Sequence, residues 1–134
     1  MIFQTNTMTK EELVDYWIES SERDFESMNK FFKVKEYSWA LFVGHLVIEK
    51  LLKANYVKNV TTKPLITHNL ELIAEKAGLS LSDEQKDDVK IITNFNIETR
   101  YPDYKIEFYE LCTPEFTKIH INKIKKLRSW LKEM

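Results

Sequence analysis

The chain has 134 residues and a formal net charge of −1, which suits one domain with its own core and excludes a strongly basic nucleic-acid platform, though not a local basic patch. Hydrophobic residues make up 43% of it, and the only glycines are Gly44 and Gly78, so disorder is excluded and a turn-rich β fold is disfavoured. The single cysteine, Cys112, excludes an internal disulfide and fits a reducing cytoplasm.

Residues 1–8 read as a loose N-terminal arm and 9–134 as a single helical domain. The opening "MIFQTNTMTKEEL" lacks the basic start and apolar run of a secretory signal, and no apolar run suffices to span a membrane; the expectation is a cytoplasmic protein. "TKEE" predicts a capping box in which Thr9 and Glu12 exchange hydrogen bonds. The helix it opens runs to about Phe32, with Leu13, Trp17, Phe25, Met28 and Phe32 on one side. A second helix is predicted over about 36–57, "EYSWALFVGHLVIEKLLKANYV", with apolar residues on more than one face. That wrapping marks a central helix, or one that also meets a second subunit, with Trp39 and Phe42 in the core or in an interface. Pro64 ends the loop that follows, Thr67 caps a short helix, "HNLELIAEKAG", and Gly78 closes it. Ser82 opens another capping box and a helix through about Ile97, which "YPDY" breaks. Thr113 and Pro114 are the N-cap and first residue of the last helix. The predicted fold is all-α: an antiparallel up-and-down bundle of four long helices plus one short helix.

Three groups of residues could carry chemistry. His45, Glu49 and Lys53 recur every fourth residue, a polar stripe on an otherwise apolar helix. Such a stripe is an exposed seam of ordinary pairs or a binding surface; two potential ligands there fall short of a zinc site, and no metal or cofactor is expected. His68 stands at the start of the short helix, where a local hydrogen bond is the plain alternative to a role in a site. The third group is "TRYPDY". Arg100 is one of three arginines, and its planar fork suits a carboxylate or a phosphate. Tyr101 stands beside it, Pro102 stiffens the corner, and Asp103 is a ready partner, so the corner is a structural clamp or the floor of a site. The basic run "KIHINKIKKLR" could attract phosphate or simply be a solvated helix end, and Cys112 and His120 read as packed side chains.

"SWALFVGHLVIEKLLKANYV", "THNLELIAEKAGL" and "TRYPDY", in this order and spacing, resemble the HEPN domain family, the small helical domains of higher eukaryotes and prokaryotes named for nucleotide binding. The resemblance extends from about Trp17 to Trp130. It implies a helical bundle that forms a homodimer, a nucleotide or RNA ligand, and in many members a small nucleotidyltransferase partner in a toxin–antitoxin setting. Arg100 stands where ribonuclease members carry a functional arginine, and the expected ligand site is Arg100 with Tyr101 and Asp103, the stripe His45, Glu49 and Lys53, and His68. Ribonuclease members carry an arginine followed after four to six residues by a histidine. Here Arg100 is followed at those positions by Lys105, Ile106 and Glu107, so the motif is incomplete and catalysis stays open. The alternatives are a metal-independent ribonuclease that takes a histidine from elsewhere, His45 or His68, and a non-catalytic interaction module.

Overall fold

Thr9 and Glu12 form the capping box: the Glu12 amide donates to Thr9 Oγ1 (3.1 Å) and the Thr9 amide to Glu12 Oε1 (2.9 Å). They open α1 (Lys10–Lys33). The computed structural model describes residues 8–134, except the side chains of Pro102 and Asp103. The arm predicted over residues 1–8 therefore lies outside the described residues, save Met8. After α1 the chain reverses within three residues, with Lys35 in the left-handed region (φ 67°) and the Glu36 amide closing back on Phe31 O at 2.8 Å. A glycine is the usual occupant of such a position. Then follow α2 (Tyr37–Asn59), α3 (Leu70–Lys76), α4 (Asp83–Arg100), α5 (Pro102–Leu111) and α6 (Pro114–Lys132).

The chain is all-helical, and among the described residues there is no strand. Two boundaries differ from the sequence reading. The N-cap of α3 is Asn69, which accepts from the Leu72 amide, while Thr67 accepts from Asn69 just outside the helix. The larger difference is a sixth helix, α5. Pro102 stops α4, because the residue before a proline is pushed to an extended conformation; Tyr101 has φ −102° and ψ 127°. The same proline is at home in the first turn of the next helix, where its missing N–H costs nothing. The breaker is also a starter. The second capping box, Ser82 with Gln85, and the Thr113–Pro114 start of α6 form as the sequence predicts, and Gly78 has the positive φ (81°) that ends α3.

The apolar wrapping of α2 is satisfied within one chain. α2 packs against every other helix. Leu41, Val47, Ile48 and Leu52 are buried with Met28 of α1, Ile73 of α3, Phe95 of α4, Phe108 of α5 and Ile124 of α6. Each such side chain contributes about 1.5–3 kcal/mol when fully buried. Trp39 and Phe42 are not in this core: Trp39 is 40% exposed, Phe42 is half-buried, and the two rings meet edge to face at 5.7 Å. Ala40 and Leu41 between them are fully buried, so Trp39 and Phe42 lie on another face of the same turns of α2. No helix among the described residues is long and apolar enough to cross a membrane.

At the centre, Gly44 lets three helices close up. A Cβ there would stand 2.5 Å from Ile124 Cδ1 and 3.1 Å from Met28 Sδ, both on fully buried side chains. Gly44→Leu therefore overpacks the α1–α2–α6 junction, and its denaturation midpoint should fall by the equivalent of about 1–3 kcal/mol. A variant as stable as the parent would show that this junction is not tightly packed.

Candidate functional site

Glu49 lies on the buried side of α2, with 6% of its side chain exposed. Its carboxylate is met on both oxygens. Lys53, one turn on, donates to Oε2 at 2.9 Å, and His68 donates from Nδ1 to Oε1 at 2.9 Å. His45, one turn back and fully buried, donates from Nε2 to the backbone oxygen of His68 at 3.1 Å. A carbonyl can only accept, so this bond fixes the His45 tautomer. Its Nδ1 is then a bare acceptor, buried without a partner. Lys53 also lies over the Trp17 ring, 5.4 Å from its centroid.

The stripe is thus neither an exposed seam nor a row of separate pairs. It is one connected cluster, buried at His45 and Glu49 and open to solvent at His68, and it ties the segment before α3 to the middle of α2. Four of the candidate residues, His45, Glu49, Lys53 and His68, come together in it. The sequence shows that a polar stripe on an apolar helix needs partners, but it does not show that His68 supplies one.

The charges respond to this packing. Burial works to raise the Glu49 carboxyl, but the hydrogen bonds from Lys53 and His68 outweigh it and hold the group below the ordinary carboxylate value. Burial lowers the His45 imidazole, and the bond to His68 and the nearby Glu49 charge only partly oppose it. His45 is therefore neutral at pH 7. Next along α2, Lys50 reaches α1, with Nζ 2.7 Å from both Ser20 Oγ and Asp24 Oδ2. The sequence reading missed Ser20 and Asp24; their signal is the one-turn spacing on the core side of α1.

The other candidates are elsewhere. Arg100 and Tyr101 are exposed at the end of α4, and the guanidinium carbon is 6.0 Å from the Tyr101 ring centroid. The side chain of Asp103, named above as the partner of Arg100, lies outside the described residues. Thr99 and Trp39 border the same shallow cleft, so this corner adjoins the start of α2. Glu49 is ten residues further along, about 15 Å at 1.5 Å per residue. The seven candidates form two separate groups. His120 packs between Phe95 (5.5 Å) and Phe116 (4.4 Å), and the thiol of buried Cys112 is pushed up to about 12, chiefly by burial. Among the described residues no group of three or more His, Cys, Asp or Glu side chains could hold a metal ion.

Removing the carboxylate strands Lys53 and His68, so Glu49→Ala should cost about 3–5 kcal/mol in urea denaturation; an unchanged midpoint would contradict the cluster. The pH dependence follows from the same groups. The folded state of His45 binds its proton less readily than the unfolded chain, whose histidine titrates near 6.5. Its contribution is complete above that pH and is lost as pH falls toward the lower folded value. Glu49 has the same sign and acts lower, below about 4.5. Burial lowers the His120 imidazole as well, with the same sign. Stability measured from about pH 7.5 down to about pH 3 should therefore fall in two stages, histidine first and carboxylate second, and a flat or rising profile would contradict both assignments.

Comparison with known proteins bears on identity. Neither a curated protein nor a solved structure gives a significant match. A family model described as the HEPN domain matches residues 14–134. It covers all of the helices but the first turn of α1, both candidate groups included, and with it the chain belongs to the HEPN domain family.

Proposed function

We propose that the protein binds a nucleotide or an RNA phosphate through Arg100, and that it works as a homodimer beside a small nucleotidyltransferase, in the manner of a toxin–antitoxin pair. Family membership supports a nucleotide- or RNA-related role. The observation that carries the ligand reading is the place of Arg100. It is exposed at the end of α4, next to Tyr101, on a corner that a proline fixes. A guanidinium so placed can present its fork to a phosphate, with Asp103 as its orienting partner. Apolar residues lie in the open beside it: Ile106 is 72% and Tyr109 71% exposed, and both border the cleft that Trp39 lines. Two copies packing through this face would cover those residues and bring two Arg100 side chains to one seam.

Binding is favoured over cleavage. A ribonuclease of this type needs a proton-transfer group near the arginine. Of the three histidines, His45 and His68 are engaged around Glu49, and His120 is packed between phenylalanines. Positions 105–107, where the motif requires one, hold lysine, isoleucine and glutamate.

The test compares Arg100→Lys and Arg100→Ala by affinity for a labelled single-stranded RNA and by thermal stability. Both variants should bind at least about tenfold more weakly, a difference of 1.4 kcal/mol. Both should melt close to the parent, since an exposed ion pair contributes about 0–1 kcal/mol. Parent-like binding with much earlier melting would make the corner a structural clamp.

A further inference from the structure

A second cleft, of about 360 Å³, opens between α1, α2 and the segment before α3. Its volume falls within the range of small-molecule sites. Trp17, Tyr56 and Leu65 give it apolar walls, while Lys53, Lys63 and His68 also line it. No aspartate or glutamate is among the lining residues. Two of the lining residues are held by one buried carboxylate, Glu49, with one oxygen bound to Lys53 and the other to His68. At the rim Ile66 leaves its side chain almost wholly in water, 93% exposed.

We propose that this cleft is a binding site for a small phosphate monoester with a flat apolar body, such as an aryl phosphate or a mononucleotide. The ring lies against Trp17 and Tyr56, the phosphate meets Lys63 and Lys53, and His68 stands beside them. The polar side is built in advance. Glu49 accepts a hydrogen bond from His68 Nδ1–H and leaves Nε2, the acceptor nitrogen of the neutral ring, as the atom that can meet a ligand; that side chain is 55% exposed. Glu49 also fixes the Lys53 ammonium, which keeps two further hydrogens to donate. Two ammonium groups from separate positions, Lys53 and Lys63, suit a tetrahedral phosphate, which accepts from several directions, better than a planar carboxylate, and His68 Nε2 can accept from a hydroxyl of the ligand. Charge complementarity points the same way, since Glu49 already balances Lys53 and leaves Lys63 uncompensated among the lining residues. The proposal does not rest on the Arg100 corner. It places a ligand about 15 Å further along α2.

The three tryptophans make the test local, because each reports on its own surface: Trp17 on this cleft, Trp39 on the Arg100 face, and Trp130 on the groove between α4 and α6. Phenyl phosphate is titrated into the intact protein while the indole N–H resonances are followed. The Trp17 resonance should shift and saturate. Phenol alone and inorganic phosphate alone should each bind at least tenfold more weakly. Lys63→Glu, in an exposed loop, should lower phenyl phosphate affinity at least tenfold with an unchanged melting temperature. AMP in place of phenyl phosphate tells the source of the ring: tighter binding at Trp17 means a nucleotide, weaker binding a simple aryl phosphate. The proposal is overturned if neither compound moves Trp17, or if Lys63→Glu binds as the parent does. A shift of Trp39 alone would overturn it too, while leaving the Arg100 reading intact.

Discussion

Glu49 keeps its charge with 6% of its side chain exposed, so the groups around it have to be donors or cations. Lys53 and His68 meet that demand directly, and His45 meets it indirectly by holding the backbone of His68. The consequence reaches beyond one ion pair. The segment between α2 and α3 has no regular structure of its own, and its end is fixed because a charge inside the bundle holds it there. Without that anchor the segment would have little reason to lie along α2, and the cleft it walls with Trp17 would lose a side.

The same helix sets the relation between the two polar regions. α2 is covered by all the other helices, so its few polar residues are either paired inside, like Glu49 and Lys50, or lie at its ends. One region grows around the middle of α2. The other forms where its start meets the end of α4 and the beginning of α5. Gly44 stands between them, where α1 and α6 approach α2 too closely for a side chain. The core therefore separates the two polar regions as a packed layer.

Much of the fold was legible in the sequence because its signals are local. Both capping boxes, the Thr113–Pro114 start and the Gly78 stop act within one turn, and each formed where it was read. α5 escaped because proline punctuates in both directions, and only the tertiary setting decides whether a new helix follows the break. The reversal after α1 also escaped, since Lys35 occupies a position that glycine usually marks. At the candidate site, the periodicity of His45, Glu49 and Lys53 was visible, but their burial was not. Burial depends on His68, nineteen residues from Glu49 along the chain, and on Trp17 from another helix. The sequence reading put His68 and Arg100 in one site; the geometry places them in two separate regions.

The most direct test of the anchoring role of Glu49 is amide hydrogen exchange on the parent and on Glu49→Gln. The substitution keeps the shape and removes the charge. Exchange over residues 61–72, which include the amides of Asn69, Leu70 and Leu72 that are held by side-chain oxygens, should speed up by at least tenfold, while α1, α4 and α6 keep their protection. Parent-like exchange in that segment, or a uniform rise across every helix, would contradict the account.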